Sequence, residues 1–151
     1  MSILKVTIKE ELTINNVDTV EEHVRTIDSV TESSSRNVTI GTSEVELIKF
    51  GAAVGAGQYV NADVKYLRIT HIPPDTAGSA RVTLRVYTTT DTKAYFVSIP
   101  EGGSFVLGNV SAMDAKDSGS VDTDAISASN IETIKAVSTS ASTNLNIFVV
   151  E

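Results

Sequence analysis

His23 and His71 are the only histidines in this 151-residue sequence, and a nucleophilic triad would need one of them beside an acid and an activated serine or threonine. No GxSxG elbow or comparable turn presents such a serine, so both histidines read as structural or exposed. Adjacent carboxylates occur at Glu10–Glu11 and at Glu21–Glu22. In a strand neighbouring side chains point to opposite faces, so neither pair can flank one scissile bond as glycosidase acids do, and exposed charge explains them. The segment DAKDSGSVDTDA carries Asp114, Asp117, Asp122 and Asp124, and closely spaced carboxylates are what a hard cation such as Ca²⁺ requires. Its register fits no EF-hand and it lacks the late Glu, so solvated loop charge is the reading, with a cation bound in 114–124 as the alternative. GAAVGAG, residues 51–57, contains GxxxGxG, but a phosphate-cradling loop must lead from a strand into a helix. The next residues, QYVNADVKYLRI, read as another strand, and no GK[ST] is present, so the segment reads as a flexible connection. Tyr59, Tyr66, Tyr87 and Tyr95 could stack on sugars, although Trp is absent, and Tyr87 and Tyr95 flank TTTDT as a candidate cross-strand pair. These readings assign no catalytic, cofactor-binding or metal-binding residue.

The elements that would position these side chains are strands. From Arg81 to Leu107 the sequence reads RVTLRVY, TTTDT, KAYFVSI, PEGG and SFVL, three short strands joined by tight turns. Val82, Leu84 and Val86 point one way and Arg81, Thr83, Arg85 and Tyr87 the other, so one face of a sheet is buried against a second apolar layer. Residues 4–14 alternate in the same manner, with Leu4, Val6, Ile8, Leu12 and Ile14 on one face, interrupted at Glu10 by an expected bend or bulge. Residues 15–35 read as a loop with an irregular strand around 23–27, with a short helix, on the spacing of Val24, Ile27 and Val30, as the alternative. Arg36–Ile40 and Val45–Phe50 read as a hairpin turning at Gly41, and Val64–Ile72 as a strand ended by Pro73 and Pro74. Residues 108–130, rich in Ser, Asp, Ala and Gly, read as a long surface loop. Ile131–Val137 and Asn144–Val150 read as a final hairpin with Leu145, Ile147 and Val149 facing the core.

Composition agrees. Val, Ile and Thr number 50 residues against 7 Leu, and β-branched side chains fit a pleated surface better than a helix. The expected fold is all-β: a single domain over 1–151, an antiparallel, jelly-roll-like β-sandwich of about eight or nine short strands, with an up-and-down barrel as the alternative. No repeat of fixed period marks a solenoid or propeller. The absence of cysteine excludes a disulfide framework, a thiolate zinc site and a cysteine nucleophile. A formal charge of −7 argues against nucleic acid as a partner, because that affinity rests on Lys and Arg neutralising phosphates. The N-terminal MSILKVTIKEELTI has acidic residues by Glu10 and no continuous apolar run, so neither a signal peptide nor a membrane span is expected there, and synthesis in a cytoplasm is.

YLRITHIPPDTAGSARVTLRV, AYFVSIPEGGSFVL and NIETIKAVSTSASTNLNIFVVE, with the opening SILKVTIKEELTINN, carry a resemblance over most of the chain. The strand YLRIT, the IPxGxSFxL turn and strand at Ile99–Leu107, and the terminal LxIFVxx pattern resemble small virion structural proteins of tailed bacteriophages, especially short-tailed phages of marine bacteria. The resemblance implies a non-enzymatic β-sandwich protein attached to the capsid as decoration or cement, or else a receptor- or glycan-binding module of a tail or head fibre. It further implies location on the virion, the major capsid protein as partner, assembly as a homo-oligomer (trimer or dimer), and no cofactor. Residues 1–14 are the expected intersubunit or capsid-contacting strand, because a long alternating strand ahead of a polar break can pair with a neighbour's edge.

Overall fold

Alternation of buried and exposed side chains at period two runs through the strands from Ser33 onward, and it stacks two sheets face to face around one apolar layer. The computed structural model describes residues 2–51, 55, 57–60, 62–73, 80–88, 94–108, 131–140 and 142–151. Among them the chain is all-β. It clusters into two compact units, Met1–Glu32 and Ser33–Glu151.

The first unit is an antiparallel hairpin of β1 (Ser2–Ile14) and β2 (Val17–Val30). The second is the sandwich. It comprises β3 (Ser33–Ile40), β4 (Val45–Gly51), β5 (Gln58–Val60), β6 (Tyr66–Ile72), β7 (Val82–Thr88), β8 (Ala94–Ile99), β9 (Ser104–Leu107), β10 (Ile131–Ser138) and β11 (Thr143–Val150). One sheet has the order β5-β4-β10-β7-β8 and the other β3-β11-β6-β9. All pairs are antiparallel except β4 with β5, which run parallel.

The inner faces supply the core: Val82, Leu84 and Val86 of β7 and Ile134 and Ala136 of β10 meet Leu67 and Ile69 of β6 and Leu145, Ile147 and Val149 of β11. β4 contributes both Leu47 and Ile48, although they are neighbours. Ile134 pairs with Ile48 and Lys135 with Glu46, so Leu47 is an extra residue, and the bulge turns both side chains inward.

Several expectations are corrected. The sandwich has the nine strands expected of it, and the described residues add two more in the hairpin. Residues 15–35 are not a loop with a short irregular strand, because Val17–Val30 is continuous strand. No bend or bulge occurs at Glu10, and the register shifts only near Ser2, where Ile3 opposes Asp28 and Ser29. Ser29 has φ 58°, as fits a bulge residue in the left-handed region. β3 and β4 do not form a hairpin, nor do β10 and β11, since in each case the two strands belong to different sheets. β8 and β9 are divided in the same way, whereas β7 and β8 do pair as a hairpin.

These connections therefore carry the chain between layers. At β8–β9, Gly102 adopts φ 76°, and the Gly103 amide donates to the Pro100 carbonyl at 2.9 Å. A Cβ on Gly103 would lie 2.9 Å from that carbonyl, so the turn needs one glycine for its dihedral and the next for close approach. At the β3–β4 and β10–β11 connections, which lie at the same end of the sandwich, Ser138 N donates to Gly41 O at 2.9 Å, and the Ser138 and Thr143 hydroxyls share a buried 2.6 Å bond. The acidic segment with Asp114, Asp117, Asp122 and Asp124, all of TTTDT after Thr88 and most of GAAVGAG lie outside the described residues.

Candidate functional site

The hairpin of the first unit carries most of the large hydrophobic side chains that are exposed among the described residues. It turns at Asn15 and Asn16, whose φ values of 52° and 62° are the pair that a two-residue type I′ turn demands. Asparagine tolerates this conformation because its short amide bonds locally. The Thr13 hydroxyl donates to Asp18 Oδ1 at 2.6 Å across the second rung behind the turn. From there the register runs unbroken to Leu4 opposite Ile27. Residues directly opposite share a face. One face therefore holds the rungs Ile14/Val17, Leu12/Thr19, Glu10/Glu21, Ile8/His23, Val6/Arg25 and Leu4/Ile27. The other holds Thr13/Asp18, Glu11/Val20, Lys9/Glu22, Thr7/Val24 and Lys5/Thr26, with an ion pair between Lys9 and Glu11.

Toward the turn the first of these faces meets water, whereas Leu4 and Val6 are half-buried and Ile27 is buried. Ile8, Leu12, Ile14 and Val17 are 54–65% exposed. Singly exposed aliphatic residues need no explanation, but four on consecutive or near-consecutive rungs of one face form a stripe, and such stripes mark interaction sites. Glu10 and Glu21 interrupt it, directly opposed, and like charges in that position destabilise a strand pair. His23 and Arg25 occupy the next two rungs on the same strand as Glu21.

The sandwich carries two ordered polar faces. Outside the five-stranded sheet, Glu44 accepts from Arg85 Nη1 at 2.5 Å and from the Tyr87 hydroxyl at 3.2 Å, with Lys135 Nζ at 3.6 Å. Lys135 Nζ also sits 4.7 Å from the Tyr87 ring centre, and Arg85 lies over the exposed Phe96 ring at 5.6 Å. Hydrogen bonding to Tyr87, and then to Glu44, raises the pKa of the Arg85 guanidinium. Outside the four-stranded sheet, Asn146 donates to Asn37 Oδ1 at 2.9 Å, Thr39 donates to Asn144 at 2.7 Å, and Thr70 and Ser104 share a 2.8 Å bond. In both faces these groups bond chiefly to one another, although Arg85 Nε has no hydrogen-bond partner among the described residues.

The sequence matches no protein-family model and no curated protein. It is similar to one solved structure, of Bacillus endospore appendages described as a novel family of disulfide-linked pili. Identity is 11%, the match covers 81% of this chain and 85% of that one, and the TM-score is 0.48. This chain has no cysteine, so no disulfide link is open to it.

The residues singled out in the sequence are dispersed. His23 lies on the hairpin face, whereas His71 is buried on β6. Among the described residues neither ring nitrogen of His71 has a hydrogen-bond partner, and no three of His, Asp or Glu gather where they could hold a metal ion. No helix among them is long and apolar enough to cross a membrane. Glu10 and Glu11 do face opposite ways, but Glu10 faces Glu21 across the ribbon, a pairing that chain adjacency hid. Tyr87 and Tyr95 do not face each other: Tyr87 pairs with Ala94 and Tyr95 with Val86, so a one-residue offset turns Tyr87 outward and packs Tyr95 against the core.

Burial raises the Tyr95 phenol above its ordinary value of 10.0. The folded state thus favours the neutral phenol, and its contribution is complete below that ordinary value and lost as pH climbs through the raised one. Urea melts between about pH 9 and 11.5 are expected to lose stability less steeply for Tyr95→Phe than for the wild type. Equal slopes would remove Tyr95 as a source of the alkaline loss.

Proposed function

We propose that this chain is a non-enzymatic structural protein of a particle surface, most specifically a capsid decoration or cement protein of a tailed-phage virion, and that its hairpin is an assembly contact. The observation that carries the reading is the apolar stripe of Ile8, Leu12, Ile14 and Val17 on a ribbon of only two strands. A two-stranded hairpin is marginal in water at best, so a ribbon this long gains its stability when something covers the apolar face. The resemblance of the YLRIT, IPEGGSFVL and LNIFVVE segments to virion structural proteins supplies the kind of assembly.

Cement proteins work by surface rather than by chemistry. A protein that binds the assembled lattice and not free subunits stabilises the lattice by mass action, and linked contacts add avidity. The outer sheet faces, with Asn, Ser and Thr side chains bonded to one another, make a stiff polar skin suited to that position.

Immunogold electron microscopy of phage particles tests the reading. Label over heads is expected, and particles assembled without the protein are expected to release DNA at a lower temperature. Label confined to tails would move the protein to the fibre-associated class, and unlabelled particles would end the virion assignment.

A further inference from the structure

We propose that the occupant of the hairpin's apolar face is the same face of a second copy of this chain, turned end for end. The inference rests on the assembly reading and names the partner at that contact.

Charge complementarity along the register selects this arrangement. Two ribbons stacked face to face with a two-fold axis along the strands would set equal rungs against each other. Glu10 and Glu21 of both copies would then meet as four carboxylates, an arrangement that like-charge repulsion rejects. A two-fold axis across the strands reverses the rung order. With the axis between the Ile8/His23 and Glu10/Glu21 rungs, each strand lies over its own counterpart, and Glu21 faces the second copy's His23.

The same operation sets the half-buried Val6 over the exposed Leu12 and the half-buried Leu4 over the exposed Ile14. It also places Arg25 one rung, about 6.8 Å, beyond the His23 that faces the opposing Glu21, within reach of its long side chain. The opposed pair Glu10 and Glu21 has no ion-pair partner among the described residues; in this arrangement Glu21 gains the second copy's His23 and Arg25 beside it, while Glu10 lies over the second copy's Ile8. Like charges that weaken the lone ribbon thereby select the end-for-end arrangement over the parallel one.

The contact is about 40 Å long and two strands wide, below the standard size of a specific interface, so micromolar self-association is expected. Particles would then receive the protein in pairs.

Two full-length variants test this. Glu10→Lys with Glu21→Lys makes the face positive, and His23→Glu with Arg25→Glu makes it negative. In sedimentation equilibrium at about 100 μM the wild type is expected to reach dimer mass, each variant alone to associate at least ~10-fold more weakly, and an equimolar mixture to recover dimer mass. A monomeric wild type, or a mixture that stays monomeric, overturns the inference, and recovery in the mixture also shows that both variants fold. Monomers that still decorate particles would sink this inference and leave the assembly reading standing. Dimers that never label particles would do the reverse.

Discussion

Leu145→Ala is expected to cost about 2–5 kcal/mol, a large part of the stability of a domain this size. Leu145 has no exposed surface, and β11 lies between β3 and β6 near the middle of its sheet, so the space left behind is walled by hydrogen-bonded strands that cannot close over it. Asn144→Ala, one residue away on the outer face, removes only the bond from Thr39 and is expected to cost about 1 kcal/mol or less. Urea unfolding should show the difference as a lower midpoint at unchanged slope. Equal midpoints for the two variants would mean that β11 does not present Leu145 to the core.

Replacing Ile8, Leu12 and Ile14 together by serine is expected to weaken attachment to particles at least ~100-fold, because a monomer loses the linked second contact that avidity requires. The sandwich is expected to melt as before, since its core cluster draws on residues from Ile40 to Val149 and on none of the hairpin. Co-sedimentation with particles measures the first effect and calorimetry of the free protein the second. Undiminished co-sedimentation would remove the apolar stripe from the assembly contact.

The legibility of this fold in its sequence stems from what alternation encodes. Period two tells which side chains face inward, and Val82, Leu84, Val86, Leu145, Ile147 and Val149 all do so. It is silent about which strand lies alongside. The short links at 41–44, 100–103 and 139–142 look alike as turns, yet each leads across the core instead of back along one sheet. Within the sandwich, β7 and β8 are consecutive strands that do lie side by side as a hairpin. β2 was missed for a different reason. Its two faces carry Thr19, Glu21, His23 and Arg25 against Asp18, Val20, Glu22 and Val24, so neither is consistently apolar, and pairing with β1 decides its conformation. The Asn15–Asn16 pair was the available signal, because two consecutive residues that accept left-handed dihedrals between strand-like runs mark a tight reversal. The acidic rung in the candidate site is fixed by that turn once its register is known.

The strand pairings also imply an order of events during folding. The hairpin closes through neighbours in sequence, on a scale of ~1–10 μs for such units, whereas the sandwich must join residues as remote as Ser35 and Asn146, 111 positions apart. For the interval between, each newly made chain displays a greasy ribbon with nothing yet folded behind it. The facing carboxylates of Glu10 and Glu21 penalise in-line stacking of ribbons into fibres, so the charges on which the proposed end-for-end pairing rests also guard the immature chain.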